Sequence, residues 1–130
     1  MNASSLCMFH AYAAPEGVIP EYLEALTGNK FTQEKVHEIG HRIYLMRHAF
    51  NLREGLKPSD FDISDRSIGV PPQTEGPLEG VTVEEETISS NFFKAARIDM
   101  ESGNPERELM EELGHLDAVI DDLYGVTELS

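Results

Sequence analysis

The sequence is poor in cysteine, the residue that forms disulfides and binds iron–sulfur clusters. It contains one cysteine, Cys7, which excludes an intrachain disulfide and indicates a reducing compartment. A single thiolate cannot hold zinc or an iron–sulfur cluster, because each needs about four protein ligands. Taken alone, a lone cysteine in an apolar setting is most simply a small core residue.

Basic residues are also scarce. Ten lysines and arginines stand against 24 aspartates and glutamates, which gives a net charge of −14. So acidic a surface argues against nucleic acid or an anionic membrane as a partner. No apolar run approaches the roughly 20 residues of a membrane span, and the amino terminus lacks the pattern of a signal peptide. We therefore expect a soluble, cytoplasmic protein.

The spacing of apolar residues predicts an all-α chain. The strongest pattern is a helix capped by Thr32 that runs to about Leu52 or Arg53 and stops at Gly55. Its apolar stripe recurs at three- and four-residue steps and consists of Val36, Ile39, Ile43, Met46 and Phe50. A glycine inside a helix, here Gly40, costs about 1 kcal/mol relative to alanine. We therefore expect Gly40 to pack closely against another element.

Other helices are predicted at residues 20–26, from 82 or 83 to 96, and from the Asn104-Pro105 pair onward, with Gly114 as a possible break. No segment indicates a strand. Residues 56–82 are rich in proline and glycine, and loops of that length are uncommon unless they are functional or lie over a partner. The sequence predicts one helical domain over residues 1–130 with a long loop at 56–82.

One motif on the strongest helix has the spacing of a zinc hydrolase site. His37 and His41 share a helix face, and Glu38 between them could act as the general base in an H-E-x-x-H motif. The longer form of the motif is absent, since Tyr44 and Arg47 stand where it has glycine and histidine. The simpler interpretation is a helix with histidines on its solvated face.

Several short sequence motifs resemble motifs in the carboxy-terminal part of the aldehyde:ferredoxin oxidoreductase family, and they follow one another in the same order. Cys7 lies in a string similar to the family's D-x-x-G-L-C-x motif. The later strings, which extend the resemblance over residues 2–114 and leave 115–130 as an extra tail, are Leu23 to Gly28, Ile39 to Ile43, Arg47 to Leu56, Asp65-Arg66, Gly76 to Gly80, Phe92-Phe93 and Asp99 to Gly114.

The resemblance implies a multi-helix carboxy-terminal domain and a role for its first residues. In that family the motif cysteine is the fourth ligand of a [4Fe-4S] cluster beside a tungsten or molybdenum bis-pterin, which oxidises aldehydes to acids. Carried over, Cys7 becomes the metal ligand, and Asn2, Ser5 and Leu6 become pterin-facing positions. No residue of this chain is assigned to catalysis. Position 41 is glutamate in the family, so the H-E-x-x-H match looks accidental.

The resemblance also implies partners. The family's amino-terminal domain, three-cysteine motif and other pterin loop are expected on another polypeptide segment, and ferredoxin is an indirect partner. We expect the chain alone to bind neither cluster nor pterin and to self-associate through exposed apolar surface. Asn2 replaces aspartate and Ser5 replaces glycine, which alters cofactor contact. These changes keep a second hypothesis open, a non-catalytic helical scaffold that has lost the cofactor.

Overall fold

The computed structural model describes residues 6–15 and 17–125 of the chain. Its α-helices, in chain order, are α1 Met8–Ala13, α2 Val18–Thr27, α3 Gln33–Arg53, α4 Glu85–Ala96, α5 Arg107–Leu113 and α6 Asp117–Tyr124. Two 3-10 helices lie between α3 and α4, at Pro58–Asp60 and Asp65–Ile68. Within the described ranges extended pairing is limited to isolated bridges, so the predicted all-α class is confirmed.

The chain divides into two compact units between Arg47 and His48, inside α3. In the first unit, α2 starts two residues before the predicted helix and ends one residue after it. Its end is a left-handed Gly28, with φ of 74°, whose N–H donates to the carbonyl of Glu24 at 2.8 Å. Glycine is favoured there because a side chain would strain that conformation.

Helix α3 confirms the predicted start but buries a different face. The hydroxyl of Thr32 accepts a hydrogen bond from the N–H of Lys35 at 3.1 Å, as an N-cap should. The buried residues are Leu45 at 0% and Ala49 at 5% exposure. Met46 and Phe50, from the predicted stripe, are 52% and 54% exposed. At about 100° of rotation per residue, the two faces are about 100° apart.

The expected close packing of Gly40 against another element is not found among the described residues. Among residues 6–15 and 17–125, a Cβ at Gly40 would meet nothing within 4 Å outside its own helix backbone and chain neighbours. The cost of a glycine inside a helix therefore does not by itself mark a close contact within the same chain.

The second unit has its core between α5, α6 and the segments before them. Its buried apolar side chains are Ala49, Ile98, Leu109, Met110, Leu116 and Ile120. Gly114, with φ of 66°, ends α5, so the predicted break is confirmed. The predicted start at Asn104-Pro105 is wrong by two to three residues, since α5 begins at Arg107. Pro105 is instead paired with Ile98 in an antiparallel bridge.

The long loop is ordered by its own backbone hydrogen bonds. The N–H of Val83 donates to the carbonyl of Ile68 at 2.8 Å, which closes the base of an excursion over residues 68–83. Gly69 lies against that base, and a Cβ there would be 2.6 Å from the carbonyl oxygen of Val81. Its φ of 79° is also a conformation that glycine adopts readily. The segment therefore lacks an α-helix but has a defined path.

None of the helices in the described part of the chain combines the length and the apolar character that crossing a bilayer requires.

Candidate functional site

The segment ahead of α1 carries two of the predicted cofactor residues. Leu6 is half-buried, and Cys7 is an exposed, free thiol directly before the first turn of α1. The other two predicted positions, Asn2 and Ser5, lie outside the described residues. The exposure of Cys7 contradicts the simpler interpretation of a core cysteine, and it leaves the sulfur accessible to another polypeptide.

The surface beside Cys7 is apolar. Phe9 and Tyr12, three residues apart on α1, are 75% and 77% exposed. Exposed aromatic side chains next to one another are typical of surface that meets another protein. In donor type and access, Cys7 fits one ligand position of a [4Fe-4S] cluster. The sequence has no second cysteine, so the remaining thiolates would have to come from elsewhere.

The H-E-x-x-H residues on α3 make ordinary helix-surface contacts. The carboxylate of Glu38 accepts hydrogen bonds from Lys35 Nζ at 3.0 Å and Arg42 Nη2 at 2.8 Å. His37 Nε2 lies 3.0 Å from Gln33 Nε2. Since Glu38 already binds two cations, it is poorly suited to act as a general base. Across residues 6–15 and 17–125, no three His, Cys, Asp or Glu side chains are grouped so as to hold a metal ion.

The most constrained part of the second unit is a turn over residues 97–106, here called the 97–106 turn. The N–H of Asp99 donates to the carbonyl of Asn104 at 2.9 Å, and the N–H of Glu106 donates to that of Arg97 at 2.8 Å. Two distant residues hold the turn in place: His48 Nε2 lies 2.7 Å from the Gly103 carbonyl oxygen, and the Tyr124 hydroxyl donates to the Pro105 carbonyl.

Charged groups reinforce the 97–106 turn. Arg97 ends α4 in a left-handed conformation, and its guanidinium donates to the carboxylates of Glu106 at 2.6 Å and Glu112 at 2.8 Å. Both hydrogen bonds raise the pKa of Arg97, and the bond that it donates to Glu106 contributes most. Hydrogen bonds from the side chain and backbone of Ser102 hold the pKa of Asp99 below its ordinary value. The turn is thus a structural support. Sequence reasoning missed it because no local pattern links residues 55 positions apart, as His48 and Gly103 are.

A shallow cleft of about 280 Å³ lies beside this turn, between the end of α3 and α6. Its lining includes Arg53, Lys57 and Asp122. Arg53 Nη1 is 3.5 Å from the carboxylate of Asp122, and the Arg53 guanidinium carbon lies 5.0 Å from the centre of the Phe50 ring. Because Arg53 already has an anionic and an aromatic neighbour, the cleft shows no convergent set of groups for chemistry.

Comparison with known proteins points to one family. The family model described as aldehyde ferredoxin oxidoreductase, domains 2 and 3, matches residues 1–114. The chain is 32% identical over 114 residues to a tungsten-containing aldehyde ferredoxin oxidoreductase of Pyrococcus furiosus, and 31% identical to one of Thermococcus kodakarensis. Each alignment covers 88% of this chain and 19% of the relative, so the chain spans about a fifth of their length. No solved structure matches.

Proposed function

This chain belongs to the aldehyde ferredoxin oxidoreductase family, and on that premise we propose that it supplies Cys7 as one thiolate ligand of a [4Fe-4S] cluster. The other ligands would come from the remainder of the enzyme, in the same polypeptide or in a separate one. Leu6, with Asn2 and Ser5, would line one wall of the tungsten or molybdenum bis-pterin site. In the complete enzyme, an aldehyde would be oxidised to an acid, with electrons leaving for ferredoxin.

The accessibility of Cys7 is the observation that carries the proposal. A thiol that packs in a core is inert, whereas a cluster ligand must reach iron as the thiolate. Cys7 is exposed, unpaired and within the matched residues 1–114. The chain spans 19% of its relatives' length, which is consistent with a site completed by other domains.

The residues around Cys7 have defined tasks in this proposal. Cys7 would hold the cluster as a thiolate, and the apolar side chains of Leu6 and Phe9 would keep water away from it. Exclusion of water matters because solvent exposure is one of the factors that set a cluster's reduction potential. When bound, the pterin-held metal supplies the oxidation: one aldehyde and one water give an acid, two protons and two electrons.

The experiment that tests the proposal measures iron in two preparations. The chain alone should hold no stoichiometric iron, tungsten or pterin, and it should not oxidise aldehydes. Produced together with the family polypeptide that carries the three-cysteine motif, it should form a complex with about four irons per cluster. Cys7→Ala should remove or reshape the cluster's electron paramagnetic resonance signal.

The matched control is His37→Ala, which changes an exposed side chain on α3 and should leave the signal unchanged. An unchanged signal in the Cys7→Ala complex would overturn the proposal. About four irons in the chain alone would do so as well, unless several chains pool their cysteines in an oligomer.

A helical scaffold without cofactor is the second candidate. It is favoured by Asn2 and Ser5, which stand where the resemblance implies aspartate and glycine. An amide presents a donor and an acceptor where a carboxylate presents acceptors alone, and serine adds a Cβ beside the cofactor. A complex that assembles normally but contains neither iron nor pterin would support this candidate. Restoring the pair by Asn2→Asp and Ser5→Gly should then increase cofactor content.

A further inference from the structure

Helix α3 carries two apolar faces, and the described chain buries one of them. Leu45 and Ala49 form the buried face. The other face is the stripe with the most regular spacing in the sequence, namely Ile39, Ile43, Met46 and Phe50, here called the α3 stripe. Ile39 and Ile43 are half-buried, whereas Met46 and Phe50 are more than half exposed. A helix that is apolar on two sides is typical of an element buried on both.

We infer that the α3 stripe is the surface on which the remainder of the enzyme packs. This inference rests on the proposed function, because it takes the occupant to be the part of the family fold that lies outside the matched residues 1–114. The relatives are long enough to supply that occupant, since the alignment covers 19% of their length.

The spacing of the α3 stripe suits a helix that enters an apolar groove. Positions i, i+4, i+7 and i+11 fall on one side of a helix, and such anchors are a recurrent mode of recognition between proteins. Phe50 and Met46 have the chemistry of central anchors, since aromatic and methionine side chains are enriched where interfaces are fully buried.

Charge favours a different polypeptide over a second copy of this chain. Exposed apolar surface by itself favours the self-association expected from the sequence. Two copies of the chain would, however, each bring a net charge of −14, and that repulsion opposes their association. Helix α3 differs from the chain as a whole. It carries Lys35, Arg42, Arg47 and Arg53 against Glu34 and Glu38. Glu38 is paired with Lys35 and Arg42, while Arg47 is exposed beside the α3 stripe. We therefore expect the remainder of the enzyme to present an apolar groove with an acidic rim to the α3 stripe.

The chain offers a closely matched control for testing this. Ile88 and Phe92 on α4 are also four residues apart and are 57% and 51% exposed. The remainder of the enzyme, from the same organism, is produced as a separate chain. Its affinity for the double variant Met46→Glu/Phe50→Glu is compared with its affinity for Ile88→Glu/Phe92→Glu. Titration calorimetry should show at least a tenfold loss of affinity for the α3 variant and less than a threefold loss for the α4 variant.

Folding of the variants is checked by circular dichroism. The double variant Met46→Gln/Phe50→Gln, which adds no charge, replaces the glutamate variant if that one unfolds, and the same ranking of affinities is expected. Equal losses from the α3 and α4 variants would overturn the inference. So would a dimer of the chain alone, seen by sedimentation, that the α3 variant dissociates.

Failure of the inference is distinguishable from failure of the proposed function. If the wild-type complex forms and carries iron, and the α3 variants bind as tightly as wild type, the α3 stripe is not the interface and the role of Cys7 stands. If the wild-type chain does not bind the remainder of the enzyme, both are overturned. If the complex forms with the expected ranking of variants but Cys7→Ala leaves the cluster signal unchanged, the interface stands and the role of Cys7 does not.

Discussion

The imidazole of His48 on α3 lies 2.7 Å, through Nε2, from the carbonyl oxygen of Gly103 in the 97–106 turn. A carbonyl only accepts, so Nε2 carries the proton and donates it. Gly103 is buried, and a Cβ there would lie 2.8 Å from Leu52 Cδ2, so the turn approaches α3 closely at this point. One hydrogen bond thus joins segments 55 residues apart.

Removing the imidazole should weaken the second unit. His48→Ala leaves the buried Gly103 carbonyl without this donor, and an unsatisfied buried group costs about 1–3 kcal/mol. The free energy of unfolding, measured by urea denaturation, should fall by that amount. His37→Ala is the control, since exposed substitutions usually change stability by within about 0.5 kcal/mol. Equal losses in the two variants would show that the His48–Gly103 bond is not stabilising.

Alanine substitutions at two glycines of the long loop should distinguish the cost of a steric clash from the cost of backbone strain. Gly69 and Gly76 have φ of 79° and 95°, but only Gly69 has a backbone atom, the Val81 oxygen, within 2.6 Å of a built Cβ. Gly76→Ala should cost about 1–2 kcal/mol from its left-handed conformation. Gly69→Ala should cost clearly more, because the base of the loop must also move. Thermal unfolding of the two variants measures the difference in their loss of stability. Equal losses would mean that the backbone around Val81 moves to accept a Cβ at residue 69 without a measurable cost.

Gly40→Ala should stabilise the chain when it is studied alone. In the described part of the chain, nothing beyond the helix's own backbone and the neighbouring residues lies within 4 Å of a Cβ at this position. Alanine is favoured over glycine inside a helix by about 1 kcal/mol. The free energy of unfolding should rise by about that amount. A loss of stability would show that an element of the chain approaches Gly40 after all.

Acid should weaken the 97–106 turn through Asp99. Its pKa is lowered by hydrogen bonds from Ser102, so the folded state favours the charged carboxylate. The stabilisation is therefore complete well above the unfolded pKa of about 3.9, and it is lost as pH falls through the lower folded value. Proton titration of the Asp99 carboxyl by NMR should show the lowered pKa. Ser102→Ala should move it back towards the ordinary value, and an unmoved pKa would remove Ser102 as the cause.

The sequence by itself determined the helical class, most helix positions, the Gly114 break and the family. These follow from local properties, since capping residues, helix periodicity and glycine conformation act over a few neighbouring positions. The start of α3 directly after its Thr32 cap and its end just before Gly55 were predictable for that reason. The assignment of Cys7 to a family motif was predictable as well, because the motif consists of consecutive residues within the matched range 1–114.

Tertiary structure decided which face of α3 is buried, where α5 begins, and how the long loop closes. Periodicity marks a face as apolar but does not say whether the same chain covers it, so Leu45 and Ala49 could be buried while Met46 and Phe50 stayed exposed. The predicted helix does not start at Asn104-Pro105, because Pro105 pairs with Ile98 in an antiparallel bridge. Capping rules consider only neighbouring residues and cannot predict such a pairing across a turn. The exposure of Cys7 was likewise settled by packing, because nothing in its own string says what lies over the sulfur.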